Sequence, residues 1–541
     1  VKRNKFALAG LGVIGVGALA LTGCGPAEEE GGNEAAAGPE FGIAYNADGG
    51  HQAWVDAVAN SISGTLGINA VGVPYPDFAG LREEVTNREI DSAFRTGWQA
   101  DYPGLYNFLG PLYATNAGSN DGDYSSEEFD SLIEQGISTT DPAEANEFYK
   151  QAQEVLLQDL PAIPLWYQNS VAGWSENVEN VAINWKSVPA YEEITKSTDG
   201  PVTVNGSEPQ NPLIPTNTNE TGGGNVLDAL FTGLVNYETE TGAVQNDVAE
   251  SIDQDSPTHL TIKIREGLEF SNGEEITADN FIKAWNYGAA LDNAQLSSYF
   301  FEDIEGFSWD ENVEELSGLN QIDDYTFEVT LNKPAADFAQ RLGYSAYYPL
   351  PDVAFEDMEA FGENPIGNGP YKMAEDGWQH DIQIDLVKND AYDGPRPQEN
   401  DALRFVFYAT FDAAYSDLLA NNLDVLDTLP DSAFETYEDE LGDRSVNQAS
   451  ALFQSFTIGE YQEHFGADEE GQLRRQAISM AINREEITDV IFQGTRTPAS
   501  DFTSPVIDGW TDELEGEEVL EYNPEKAVEL WEQANEISPW E

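Results

Sequence analysis

The chain has 541 residues, with 24 Lys and Arg against 99 Asp and Glu, a formal net charge of -75 at pH 7. That balance excludes a nucleic-acid partner, because clustered Lys and Arg are needed to neutralise a phosphate backbone, and it disfavours a face laid on anionic lipid. The 11 Trp, 23 Tyr and 26 Phe belong to a folded chain, and the length calls for two to four domains.

The chain opens with Lys2, Arg3 and Lys5, then an apolar, Gly-rich run over 6–21. That run is shorter than the ~20 apolar residues a membrane span needs. It ends at Leu21-Thr22-Gly23-Cys24, which resembles the bacterial lipobox, whose Cys is acylated. Cys24 is the single Cys of the chain, so no internal disulfide and no Cys-based zinc site can form. Residues 1–24 therefore read as a lipoprotein signal segment with Cys24 as the lipidation site. A plain secretory peptide or short anchor helix is the alternative. Residues 25–40 are rich in Gly, Ala and Glu and read as a flexible tether.

From 41 the pattern alternates. Residues 41–45 are strand-like; Trp54, Val58, Ile62 and Leu66 recur at helical spacing; 68–73 is strand-like, 78–85 helical and 90–94 strand-like. Ser125-Ser126-Glu127-Glu128 opens a helix at capping-box spacing, and Asp141-Pro142 opens another. Residues 162–170 read as a strand, and 196–201 as a turn-rich joint. Beyond it, 260–265 and 325–331 are strand-like, Asn272-Gly273 is a turn signal, and 278–285 is helical. Helices over 473–482, 485–492 and 524–535 close the chain. The pattern is that of α/β units.

Five segments carry a family resemblance. They are 268–286 (LEFSNGEEITADNFIKAWN), 364–371 (NPIGNGPY), 473–487 (LRRQAISMAINREEI), 96–104 (TGWQADYPG) and 151–166 (QAQEVLLQDLPAIPLW). The chain resembles the oligopeptide-binding proteins of ABC importers, extracytoplasmic solute-binding proteins of family 5. The resemblance implies a two-lobed α/β fold of the periplasmic-binding-protein type, with an extra subdomain and a ligand cleft between the lobes. It implies a membrane-anchored, extracytoplasmic, monomeric protein that hands oligopeptides to permease subunits. No enzyme activity, cofactor or metal is expected.

The order of the segments departs from the family. The loop and terminal motifs, which normally come last, fall within 41–198, so the sequence resembles a circular permutant; a fused gene product is the alternative. The lobes are then expected as 41–175 plus 441–541, and 176–232 plus 359–440, with the extra subdomain at 233–358. A Phe41 to Trp540 separation of more than ~25 Å, many residues of extended chain, would rule the permutation out.

The resemblance implies that Asp101 holds the peptide's ammonium, with Trp98 and Gln99 along its backbone. Arg95 and His51 match positions that can meet a carboxylate. Tyr75 matches a side-chain pocket position, and Tyr299 and Tyr371 are candidates on the other lobe. Taken alone, Asp101 could cap a turn, Arg95 could pair with an acid, His51 could start a helix, and the tyrosines could be core or rim aromatics. A dipeptide, nickel complex, haem or oligosaccharide cargo fits the same fold. A hydrolase is a weaker alternative: 343–347 (GYSAY) lacks the last Gly of a GxSxG elbow. A calcium-stabilised adhesion protein would use Asp121, Asp123 and Asp130, but the EF-hand order is absent.

Overall fold

Caps written into the sequence set the helices. The computed structural model describes residues 40–540 other than 48, 49, 77, 219 and 240; Cys24 and the signal segment lie outside them. Asp141 accepts from the N–H groups of Ala143 and Glu144 and starts the helix Pro142–Asp159. Ser126 does the same through Phe129 N–H for Glu127–Ile137. Trp54, Val58 and Ile62 form the buried face of the helix Gln52–Leu66, which Gly67 ends in a left-handed conformation at φ 70°.

Eleven strands form one sheet. In chain order they are β1 Glu40–Asn46, β2 Asn69–Tyr75, β3 Ala93–Gln99, β4 Ala162–Trp174, β5 Val202–Gly206, β6 Tyr371–Gln379, β7 Gln383–Lys388, β8 Ala402–Phe407, β9 Val425–Leu426, β10 Ser445–Thr457 and β11 Arg496–Pro498. Their spatial order is β6-β7-β8-β5-β9-β4-β10-β3-β1-β2, with β11 on β4. The β2-β1-β3 end is parallel, as βαβ crossovers require. A second, antiparallel sheet holds Ala249–Ser256, His259–Ile264, Thr326–Thr330 and Leu319–Asp323.

Two strands differ most from expectation. β3 starts at Ala93 and runs to Gln99, beyond the expected 90–94, because its ladder continues along β10 from Phe94 opposite Thr457 to Gln99 opposite Leu452. Arg95, Thr96, Gly97, Trp98 and Gln99 are thus strand residues, and the loop begins at Ala100-Asp101. β4 outruns 170 to reach Trp174, because Ser445 to Ala449 of β10 keep pairing with it.

Among the described residues four cores flank the sheet, the smallest gathering Ala44, Leu81, Val85, Ile90 and Phe94. The first joins Phe41, Ile43, Trp54, Ile163 and Trp166 to Phe453, Phe465, Ile478 and Trp531. The second joins Val202, Phe231, Phe281, Trp285 and Tyr347 to Tyr371 and Leu403. A smaller one gathers Val171, Leu418, Leu426 and Leu441.

The recurrent segments have local physical reasons. Arg484, in 473–487, is buried and donates to the carbonyls of Pro164, Ser479 and Leu520 at 2.8, 3.0 and 2.6 Å. Gly367 and Gly369, in 364–371, let the chain pass against Leu230 and Phe231: a Cβ on Gly367 would stand 1.9 Å from Leu230 O.

Candidate functional site

Asp101 follows β3 directly, and buried Asn107 in the helix Leu105–Tyr113 fixes it. Asp101 N–H donates to Asn107 Oδ1 at 3.1 Å, and Asn107 Nδ2 donates to Asp101 Oδ2 at 3.1 Å. Trp98 Nε1 donates to the same Asn107 oxygen at 3.0 Å. The partly buried Asp101 carboxylate lines a cavity of ≈ 130 Å³. Its walls come from segments distant in sequence: Trp185 and Lys186, Tyr191 to Glu193, Asp228, Tyr237, Tyr344, Tyr348 and Arg396.

Burial raises the Asp101 pKa above its usual value; the Asn107 hydrogen bond and the positive charges of Lys186 and Arg341 pull it back. Burial and the Asp101 charge raise Tyr344 and Tyr299 as well. Around the cavity the acids outnumber the bases: Asp101, Glu192, Glu193 and Asp228 face Lys186 and Arg396. The walls carry the rings of Trp185, Tyr237, Tyr344 and Tyr348, and such an acid-lined, aromatic box favours a cation. Trp185 and Tyr237 meet edge to face at 5.6 Å.

Beside the cavity, Tyr102 O–H donates to Asp337. Arg341 pairs with Asp337 at 2.8 Å and with Asp303 at 2.7 Å, and its guanidinium lies 5.7 Å from the Tyr102 ring centre. This network joins the 101–106 segment of the first core to 303–341 of the second.

The expected site residues are not all brought together. Asp101 lines the cavity; Trp98 is held one hydrogen bond away and Gln99 is exposed on β3. Arg95 stacks its guanidinium 5.3 Å from the Phe78 ring centre. His51 stands at the start of Gln52–Leu66, where its Nδ1 accepts from Trp54 Nε1 at 3.1 Å. Tyr75 donates to Glu84, and its pKa is pushed up to about 12, chiefly by burial. Tyr371 is buried in the second core and donates to Asn400 Oδ1 at 2.9 Å. Tyr299 is 44% exposed and lies 4.5 Å from the Phe300 ring. Asp121 and Asp123 pair with Arg82 and Arg88, and Asp130 accepts from Thr115 N–H. Lys186, Trp185, Tyr237, Tyr348 and Arg396 carry no sequence signal that sets them apart; Tyr344 was legible only as part of an incomplete elbow.

The profile of the family described as "Bacterial extracellular solute-binding proteins, family 5 Middle" matches residues 243–539, more than half of the chain. The chain belongs to this family. Among family 5 relatives, the dipeptide-binding protein DppE of Bacillus subtilis (strain 168) is 28% identical over 319 residues, covering 57% of this chain and 56% of that protein. The dipeptide-binding protein of Escherichia coli (strain K12) is 26% identical, with 56% and 57% covered. The chain thus spans somewhat over half the length of the curated relatives it matches. The solved structure of MppA, a periplasmic murein tripeptide binding protein in an unliganded open form, superposes with a TM-score of 0.52 at 20% identity, covering 62% of this chain and 65% of that one. That likeness supports the two-lobed α/β fold. Among the described residues no helix is long and apolar enough to cross a membrane.

Proposed function

We propose that this chain captures peptides in the cavity between its first and second cores and delivers them to the permease subunits of an ABC importer. The observation that carries the reading is the Asp101 carboxylate, fixed by Asn107 and turned into an acid-lined, aromatic-walled cavity. A peptide ammonium complements it, and partial burial strengthens the pair relative to water. The protein acts by binding, without catalysis, as a monomer. Lipid on Cys24 holds it at the outer face of the membrane.

In this reading the first core belongs to the lobe 41–175 plus 441–541, and the second core is shared by the lobe 176–232 plus 359–440 and the extra subdomain 233–358. The order is read as a circular permutation. Its support is spatial: the Phe41 ring lies 5.7 Å from Phe465, and Phe465 lies 5.9 Å from Trp540, well inside 25 Å. The helix Pro524–Ile537 also packs on Gln52–Leu66.

Mass spectrometry of small molecules released by acid from the purified protein tests the function. Peptides with free amino termini are expected; a homogeneous non-peptide cargo would refute it.

A further inference from the structure

The cavity beside Asp101 measures ≈ 130 Å³. A cavity near 150 Å³ admits a molecule about the size of benzene, and a dipeptide is larger. A peptide therefore reaches Asp101 only when part of the wall moves aside. Two sides of the cavity are joined to the first core differently. On one side the turn over 183–187 is tied to the long strands. Gln448 Nε2 donates to Ile183 O and Ala451 N–H to Trp185 O, both at 2.8 Å, and the Ser187 hydroxyl lies 2.7 Å from that of Ser170 on β4.

On the other side, residues 336–341 and Gly242 meet the segment that follows Asp101. Ala336 N–H donates to Ile137 O at 3.0 Å, and Tyr102 O–H donates to Asp337. The Arg341 guanidinium lies 5.7 and 5.9 Å from the Tyr102 and Tyr106 ring centres. Gly242, at φ 67°, comes so close that a Cβ there would stand 3.0 Å from Pro103 Cβ. Tyr102, Pro103 and Gly242 are buried in this contact. Its charges are balanced on one side of it. Arg341 pairs with Asp337 at 2.8 Å and with Asp303 at 2.7 Å, and Lys333 pairs with Asp303 at 2.8 Å. These two acids and two bases all lie within 303–341. Parting the contact therefore leaves the cluster paired and avoids the stranded charge that makes breaking a buried ion pair costly. It gives up the Tyr102 and Ala336 hydrogen bonds, whose groups water then takes up.

We propose that residues 336–341, with Gly242, are the gate of the cavity: they close on Tyr102, Pro103 and Ile137 beside Asp101 and part from them to pass cargo. The side tied to β4 and β10 stays joined meanwhile. This rests on the peptide reading above and gives the 233–358 subdomain a task in it, since that subdomain carries every residue of the gate.

Pro103→Cys with Gly242→Cys sets two thiols across the gate. Their Cβ separation of 3.0 Å is within about 0.5 Å of the 3.5–4.5 Å that a disulfide spans. The full chain carries this pair together with Cys24→Ser, which removes the single native thiol. Oxidation should slow the uptake of trialanine, read by stopped-flow fluorescence, roughly tenfold or more. It should also slow hydrogen exchange over 98–107, and reduction should restore both. Tyr102→Phe, which needs no new cysteine, should release trialanine about fivefold faster than the wild type. An oxidised chain that takes up trialanine at the reduced rate, a pair that does not oxidise, or an unchanged release rate in Tyr102→Phe overturns the gate and leaves the peptide reading in place. Slowed exchange in a chain that never binds trialanine upholds the gate and overturns the peptide reading. No binding together with unaltered exchange overturns both.

Discussion

Asp101→Asn removes one charge and preserves the shape of the site, since an amide oxygen can still accept from Asn107 Nδ2. Breaking a buried, hydrogen-bonded charge pair by truncating one partner costs about 2–5 kcal/mol of binding. Asp101 is only partly buried, which places it in the lower half of that range, about 3 kcal/mol. At about 1.4 kcal/mol per decade this is roughly a hundredfold loss of affinity. The loss should fall on peptides with a free amino terminus and spare their N-acetylated forms. Folding should not suffer. The native pKa of Asp101 is raised above its ordinary 3.8, so the stability it contributes is present below that value and lost as pH rises through the native pKa. At neutral pH the Asn variant should therefore melt no lower than the wild type. Binding runs the other way: a cargo ammonium needs the ionised carboxylate, so affinity should rise with pH through the Asp101 pKa and then level off. Paired calorimetry and melting curves on trialanine and N-acetyl-trialanine read all of this. Equal losses for the two peptides, or unchanged affinity for the free amine, would refute the ammonium assignment.

Asp501 is buried, accepts from Tyr167 O–H at 2.7 Å, and its pKa is pushed up to about 6, chiefly by burial. Its stabilising contribution should be complete below about pH 4 and disappear by about pH 6, on the order of 2–3 kcal/mol; in Asp501→Asn the melting temperature should lose that acid-side dependence. Gly367→Ala, which forces a Cβ onto Leu230 O, should cost about 2 kcal/mol or more in urea unfolding. Arg484→Met removes a donor from three buried carbonyls and should cost about 2 kcal/mol or more, again by urea unfolding. Tyr102→Phe deletes the hydroxyl given to Asp337 and should lower stability by about 1 kcal/mol, read as a shift in the melting temperature.

Elements with their own local signal were legible in the sequence. The helices at Gln52–Leu66 and Pro142–Asp159 carry both a periodic apolar face and a terminus that caps. Asp101 was legible because its neighbours resemble a motif. The limits of β3 were not: Gly97 and Gln99 look like loop residues, and only the partner strand β10, some 350 residues away, keeps them extended. The cavity wall was hidden for the same reason. Trp185, Tyr237, Tyr344 and Arg396 lie on four separate stretches, and no spacing along the chain announces residues that meet only through the sheet order. His51 and Tyr371, two further candidates, make hydrogen bonds with Trp54 and Asn400.

The long strands β4 and β10, thirteen residues each, are paired beside three of the cores: Ile163 and Trp166 pack in the first, Val171 in the third, and Trp174 against the second. Any rocking of one mass against the other must flex this ribbon, which resists stretching and tolerates a bend. The register between β10 and β4 is interrupted between Ala449 and Phe453. A bend at that break leaves the paired stretches on either side of it intact.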